Sequence, residues 1–194
     1  MDSSQLLQAI VSPVRVWSRS EVMSSRPCPV PPEAGVYGWF FRQAPSVIDV
    51  EHCHEFQGLR LLYVGISPRP PTAERAPSRQ NLRTRIRAHF GGRAEGSTLR
   101  LTLGCLLADQ LGIRLGLSPS GRFTFHEGET VLSDWMAENA FVTWLATPSP
   151  WEIEEVAIRE LDLPLNLDRN RSHAFYPILS AARRVAKVQA RLRS

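Results

Sequence analysis

The sequence predicts an α/β (α+β) fold in which a small three-stranded sheet is flanked by helices. Three short segments rich in aromatic and β-branched residues have the composition of strands: residues 35–41, 59–66 and 140–146. Segments with helical periodicity and recognisable helix start and stop signals lie between and after them. Because strands and helices are interspersed, the helices are expected to cover the faces of the sheet.

Length and composition indicate a soluble protein with one substantial core. The chain has 194 residues, of which 43% are hydrophobic and 22% charged, as expected for a single globular domain. No apolar run approaches the roughly 20 residues that span a bilayer, and the N-terminus lacks the basic region of a signal peptide. We therefore expect a cytoplasmic protein with no membrane partner. The three cysteines form no CxxC pair, and His52-Cys53-His54 lacks further zinc ligands at a suitable spacing.

The N-terminal third begins with a short helix and leads into two strands. Apolar residues between positions 6 and 14 repeat at helical spacing until Pro13 interrupts them, and residues 24–33 are too rich in proline for regular structure. The first strand follows, and residues 42–58 form a polar connection in which a further β segment near residues 47–50 is possible. The nearly continuous apolar character of residues 59–66 predicts a strand covered on both faces.

A proline-rich loop and a short helix come next. Residues 68–77 contain four prolines, and Ser78 is a plausible N-cap for the helix that follows. One face of this helix repeats every four residues and is predicted to be buried, comprising Leu82, Ile86 and Phe90. Arg85 and His89 share a different face, one turn apart. Gly91-Gly92 ends the helix.

The second half alternates helices with short strands. Residues 97–107 fit either a strand or a helix, and the spacing of their leucines favours a helix. Short strands are expected around a turn at residues 118–121, with a helix or turn at residues 130–138. Ser149-Pro150 begins a helix that ends before Pro164, and a basic amphipathic helix covers about residues 175–192.

The basic residues are almost all arginines. The formal net charge is +4, and Lys187 is the only lysine among 23 basic residues. Arginine suits bidentate phosphate contacts, so a polyanionic partner is favoured. Codon usage is the simpler explanation of the overall excess, and only the positions of particular arginines therefore count as evidence.

Six residues have the chemistry that phosphodiester hydrolysis requires: an activated water, a cation at the phosphate and a stabilised leaving oxygen. They are Tyr37, Tyr63, Arg85, His89, Glu154 and Asn166. Each has an ordinary structural explanation when taken alone. A tyrosine on a strand is usually a core residue, and an arginine or histidine on a helix usually lies on its solvated face. A glutamate is common in the first turn of a helix, and an asparagine is common in turns. Their order and spacing argue for a common site.

This ordered set resembles the GIY-YIG nuclease family over residues 35–90 and 151–167. Gly35-Val36-Tyr37 and Tyr63-Val64-Gly65 each carry valine in place of the isoleucine of the family motif. His89 follows Arg85 by four positions on a helix, and Glu154 precedes Asn166 by twelve. The resemblance implies a mostly antiparallel sheet. Tyr63 follows Tyr37 by 26 positions, more than in the usual tight hairpin of the family.

The resemblance divides the chain into three parts. Residues 1–34 are an N-terminal helix and proline-rich lead-in, and residues 35–170 are a GIY-YIG-like nuclease domain. Insertions are expected in that domain at residues 42–58 and 104–148. Residues 171–194 form a basic helix that packs on the same domain.

The resemblance also implies a DNA endonuclease that uses one divalent cation, Mg²⁺ or Mn²⁺, held by Glu154. Glu152 and Glu155 lie close enough in sequence to leave that choice open. Tyr37 would take a proton from the attacking water, with a possible relay through His89. The remaining roles are spread over three residues: Tyr63 positions the water or the phosphate, Arg85 stabilises the charge on the phosphate, and Asn166 orients the glutamate or contacts the phosphate.

Substrate contacts and specificity are less constrained. Gly35 and Gly65 would allow close approach of backbone or substrate. Two sets of basic residues are candidates for phosphate contacts: Arg83, Arg87, Arg93 and Arg100, and the tail residues Arg183, Arg184, Lys187, Arg191 and Arg193. A solvated helix face explains the tail equally well.

Two alternatives to an autonomous DNA endonuclease remain open. One is a catalytically inactive module of this fold that binds nucleic acid or supports assembly. The other is a catalytic module whose specificity for duplex or branched DNA, or for RNA, comes from its insertions, a homodimer or a partner protein, since no separate DNA-reading motif is evident.

Overall fold

A four-stranded antiparallel sheet forms the centre of the molecule, with the strands in the order β2-β3-β1-β6. The computed structural model describes residues 3–70 and 80–193. The sheet strands are β1 (Gly35–Phe41), β2 (Glu55–Phe56), β3 (Leu59–Ser67) and β6 (Ala140–Ala146). A separate hairpin pairs β4 (Gly116–Leu117) with β5 (Phe123–Thr124). The three long strands of the sheet are those predicted from the sequence, and the mixed α/β fold class is confirmed.

Helices pack on both faces of the sheet. They are α1 (Ser3–Val11), α2 (Arg19–Ser24), α3 (Leu82–Gly91), α4 (Thr98–Leu106), α5 (Ala108–Leu111), α6 (Gly128–Asn139), α7 (Pro150–Glu160) and α8 (Tyr176–Leu192), with a 3₁₀ turn at Ala94–Gly96. Within the described residues, no helix combines the length and the apolar character that crossing a bilayer requires.

Strand β1 separates two hydrophobic cores because its side chains alternate between the two faces of the sheet. Tyr37 and Trp39 belong to the larger core, which α3, α4 and α6 complete. Val36 and Phe40 belong to the smaller core, which is closed by α1 and α7. Since all seven residues of β1 are buried, the strand fixes the positions of elements on both sides.

The structure differs from the sequence predictions at several local points. Residues 47–50 do not form a strand, and the extra edge strand is β2. Helix α2 was not predicted, although Ser18 and Glu21 form the capping box that begins it. The favoured helix at residues 97–107 is confirmed as α4. Asn81 caps α3, whereas Ser78 and most of the proline-rich loop lie outside the described residues.

Candidate active site

A cavity of about 240 Å³ opens where β1, β3, α3 and α7 approach one another. Five of the six candidate catalytic residues line it: Tyr37, Tyr63, Arg85, Glu154 and Asn166. The sixth, His89, is fully buried and bonds to Tyr37 from behind the cavity wall. The structure therefore brings together residues that are separated by more than a hundred positions in the sequence.

The antiparallel register of β1 and β3 places the two tyrosines side by side. Tyr37 is paired with Gly65, two residues beyond Tyr63, and the two phenol rings stack with their centroids 6.4 Å apart. A Cβ atom on Gly65 would lie 2.7 Å from the Tyr37 hydroxyl oxygen and 2.8 Å from a ring carbon of Tyr63. Such distances are far inside van der Waals contact, so the absence of a side chain at position 65 makes room for both rings.

A buried chain of hydrogen bonds runs from Tyr37 into the protein. The Tyr37 hydroxyl lies 2.9 Å from His89 Nε2, and His89 Nδ1 lies 2.6 Å from the Ser97 hydroxyl. Ser97 also caps α4, since its hydroxyl oxygen accepts the backbone N–H of Arg100 at 3.1 Å. The cap fixes the position of the Ser97 side chain and, through it, one side of the His89 ring.

Burial favours the neutral form of each member of this pair. It lowers the pKa of His89 well below the usual value, and the nearby Arg85 and Arg100 guanidinium groups lower that pKa further. Burial also raises the pKa of the Tyr37 phenol above its usual value, although the positive charge of Arg85 partly opposes this. Trp39 adds to the apolar surroundings by packing edge-on against the His89 ring, with the centroids 5.7 Å apart.

Arg85 connects the buried pair to the surface. Its Nε donates a long hydrogen bond of 3.4 Å to the Tyr37 hydroxyl, and a terminal nitrogen donates to the Gly96 carbonyl oxygen at 2.9 Å. No carboxylate in the described part of the chain forms an ion pair with this guanidinium. It is therefore a fixed positive charge at the cavity wall.

Glu154 is the residue of its acidic helix turn that faces the cavity. Glu152 is exposed, and Glu155 lines a separate depression on the protein surface. Among the described residues, none donates a hydrogen bond to the Glu154 carboxylate. Burial raises the pKa of that carboxyl to about 7, although the nearby Arg169 guanidinium lowers it, and the Asp168 carboxylate adds to the rise.

Asn166 clamps the segment after α7 onto strand β3. Its side-chain oxygen accepts the Val64 N–H at 3.0 Å, and its side-chain nitrogen donates to the Val64 carbonyl oxygen at 2.7 Å. The Leu165 N–H donates to the Leu62 carbonyl oxygen at 3.1 Å. These bonds use both ends of the Asn166 amide and hold Val64, which lies between Tyr63 and Gly65.

The other basic candidates fall into different environments. Arg83 and Arg87 donate to backbone carbonyl oxygens of Val30 and Val22, respectively, and so tie α3 to the N-terminal segment. Arg93 is exposed before the 3₁₀ turn. The prediction that Arg100 contacts phosphate is wrong, because its side chain is fully buried and forms an ion pair with Glu129.

Gly35 occupies a crowded position at the start of β1. A Cβ atom there would lie 2.3 Å from the Leu145 carbonyl oxygen and 2.6 Å from a methyl carbon of Leu82. The lack of a side chain therefore allows β6 and the first turn of α3 to close on β1.

Two residues near the candidate site were not found from the sequence. Ser97 showed a recognisable signal, since a serine just before a helix is a common N-cap, but its contact with His89 depends on tertiary packing. Asp168 lines the cavity beside Glu154, and no local pattern distinguished it from other exposed aspartates.

Comparison with known proteins identifies a family. The model of a family described as the GIY-YIG catalytic domain matches residues 35–185. The match begins at the first residue of β1 and extends into α8, so it includes all six candidate residues. Searches of curated proteins and of solved structures found no significant match to this chain.

Proposed function

Since the chain belongs to the GIY-YIG catalytic domain family, we propose that it is an endonuclease that hydrolyses phosphodiester bonds in DNA with a divalent cation. The observation that carries the proposal is the single cavity shared by Tyr37, Tyr63, Arg85 and Glu154. In support of the proposal, a general-base candidate, a fixed cation and a carboxylate desolvated by burial surround one space. These are the groups required by attack of water on a phosphodiester.

The donor set of the cavity fits a hard divalent cation such as Mg²⁺ or Mn²⁺. Glu154 is a partly buried carboxylate without a hydrogen-bond donor among the described residues, and such a group is stabilised by a cation. No cluster of three or more His, Cys, Asp or Glu ligands exists in the described part of the chain. Glu154 would hold the ion, with Asp168 contributing negative potential, and the ion would keep several waters. When bound, the ion would polarise the phosphate and supply an activated water.

Tyr37 is proposed as the general base, in its phenolate form. The Ser97 hydroxyl is buried, and within the described residues its only acceptor in reach is His89 Nδ1. If Ser97 donates to Nδ1, the neutral ring carries its proton on Nε2 and donates it to the Tyr37 oxygen. Arg85 Nε–H donates to the same oxygen. Two donors directed at one oxygen oppose the effect of burial and stabilise the phenolate, which can then take a proton from the attacking water.

The other residues are proposed to orient the substrate and the base. Arg85 stabilises the charge that develops on the phosphate while the bond to the leaving oxygen breaks. Tyr63, whose ring stacks on Tyr37, positions the water or the phosphate. Asn166 acts indirectly as a positioning residue, since it holds the backbone between Tyr63 and Gly65.

Cleavage of supercoiled plasmid, with Mg²⁺ or Mn²⁺ against EDTA, tests the proposal. Wild type is expected to nick the plasmid only with metal, and Tyr37→Phe is expected to lower the rate by about 100-fold or more. Tyr176→Phe is the matched control because it removes the hydroxyl of the third tyrosine, which lies at the start of α8 and outside the cavity lining. Plasmid binding without any metal-dependent cleavage would instead support the inactive binding module.

A further inference from the structure

A second cavity of about 560 Å³ adjoins the candidate active site. The two cavities share wall residues, namely Arg69, Pro70, Arg85 and Thr98. Beyond them the second cavity runs between the turn that contains Gly96, strand β5 of the hairpin at Phe123 and the side of α8. We call this second cavity the basic groove, and it is a continuation of the space beside the reacting groups.

The lining of the basic groove carries an excess of positive charge. Its described cations are Arg69, Arg85, Arg183 and Lys187, and its single described acid is Glu95. That acid already has a cation at 4.0 Å, the side chain of Arg122. In the described structure neither Arg183 nor Lys187 forms an ion pair, and the Arg183 side chain donates one long hydrogen bond, to Thr102 at 3.5 Å.

Holding these cations together has an electrostatic cost. Burial lowers the pKa of Lys187, and repulsion from Arg183 lowers it further. Burial likewise lowers the pKa of Arg183. An anion bound between the two side chains would relieve both effects, so the arrangement is complementary to a negatively charged ligand.

The Phe123 ring lies against two of the tail cations, Lys187 and Arg191. Lys187 Nζ lies 5.4 Å from the centroid of the Phe123 ring, and the guanidinium carbon of Arg191 lies 5.3 Å from it. A cation–π contact orders the long side chain of Lys187 while the charge of that side chain remains available to an anion. Phe123 belongs to the hairpin within the predicted insertion at residues 104–148, so this insertion and α8 form the groove together.

We propose that the basic groove binds the phosphate backbone of the DNA strand beside the scissile phosphate, with Arg183 and Lys187 as the main contacts. The proposal rests on the proposed function, and it assigns to the insertion and α8 the task of holding the substrate strand. The continuous wall at Arg85 means that a strand with one phosphate in the active site extends directly into the groove.

Metal-free DNA binding tests the groove independently of cleavage. The affinity for a short fluorescent DNA duplex would be measured in EDTA over a series of salt concentrations, for wild type and for Arg183→Gln/Lys187→Gln. Each lost phosphate contact lowers the slope of log affinity against log salt by about 0.9 for duplex DNA. The double variant is therefore expected to bind at least about tenfold more weakly at moderate salt, with a slope smaller by about 2.

The matched control is Arg26→Gln/Arg114→Gln, which removes two positive charges at exposed positions outside the groove and outside both sets of candidate phosphate contacts. It is expected to keep the wild-type slope to within about half a unit. Lys187→Gln alone changes a partly exposed side chain, so it keeps the test possible if the double variant misfolds. It is expected to lower the slope by about 1.

Three results would overturn the proposal: equal slopes for groove and control variants, no DNA binding by wild type in low salt, or tighter groove-dependent binding of RNA than of DNA. Loss of binding in the groove variants, in a protein that cleaves no DNA, would support the groove while contradicting the nuclease function.

Discussion

In the proposed site, the Ser97 hydroxyl selects which nitrogen of His89 carries the proton. Its hydroxyl lies 2.6 Å from Nδ1, and Tyr37 lies 2.9 Å from Nε2, so the ring is held between one hydroxyl on each side. In a buried neutral imidazole, the hydrogen bond at one nitrogen selects the tautomer at the other. Ser97, which lines the basic groove and not the active-site cavity, would thereby set the hydrogen-bond donor that the Tyr37 oxygen receives.

We predict that Ser97→Ala abolishes the preference for the Nε2–H tautomer and slows cleavage by at least about tenfold. Ser97→Thr keeps both the donor and the α4 cap and should retain the tautomer and most of the activity. The tautomer is read from the ¹⁵N chemical shifts of the His89 ring. Loss of the cap alone costs about 1 kcal/mol and would not change those shifts. A wild-type ring protonated on Nδ1 would contradict the assignment.

Glu154 gives the metal-free protein a pH-dependent stability. Its pKa is raised to about 7 in the folded state from 4.5, so between these values the folded state binds the proton that the unfolded state has lost. Stability therefore falls as the pH rises through this range and levels off above it. One pKa unit corresponds to about 1.4 kcal/mol, which gives a loss of roughly 3 kcal/mol.

We predict that the Glu154→Gln variant does not lose stability over this pH range, because glutamine cannot ionise. In urea unfolding with EDTA, the variant and wild type should have similar stability near pH 4.5, and the variant should be the more stable above pH 7. A stability difference that stays constant over this pH range would mean that the carboxyl is not desolvated in the folded protein.

At the scale of elements, the segment that follows α7 behaves as an extension of the sheet beside β3. In the described residues, β2 pairs with β3 at Leu59 and Arg60, and a backbone hydrogen bond from Leu61 to His54 continues this edge. No described strand lies beside the far end of β3 on that side. Asn166 satisfies Val64 there through both its amide groups. The segment thus completes the edge of β3 at Tyr63 and Gly65, which lie at the candidate active site.

Asn166→Ala is predicted to lower the unfolding free energy by about 2–4 kcal/mol, because it leaves a buried N–H and a buried carbonyl of Val64 without partners. Urea denaturation measures the change. Asn81→Ala, which removes a part-exposed helix cap elsewhere, should cost only about 1 kcal/mol. Equal losses of unfolding free energy in the two variants would show that the Val64 hydrogen bonds stabilise the fold no more than an ordinary helix cap does.

The elements that the sequence predicted well are those with a local physical signal. Strands β1, β3 and β6 combine β-branched and aromatic residues, and α7 begins with a proline at its first position, as expected. Edge strand β2 has two residues, too few for a detectable alternation. Helix α2 was missed although its capping box was visible, because six residues show little periodicity.

At the scale of the whole molecule, the site arises from long-range packing that no local pattern encodes. Tyr37 and His89 are 52 residues apart in the sequence, and they meet because α3 packs across β1. The ordered motif residues could still be recognised from the sequence. The partners that surround them could not be recognised. The positions of Ser97, Asp168 and the basic groove depend on how three elements close around the sheet, namely α4, α8 and the segment that follows α7.

The most direct test of the whole account compares two adjacent glutamates. Glu154→Gln and Glu155→Gln make the same chemical change one position apart on α7, but only Glu154 faces the cavity. With Mg²⁺ and supercoiled plasmid, Glu154→Gln is expected to lower the cleavage rate by at least about 100-fold, and Glu155→Gln by less than about twofold. Equal rates for the two variants, or a loss confined to Glu155→Gln, would contradict the placement of the active site in this cavity.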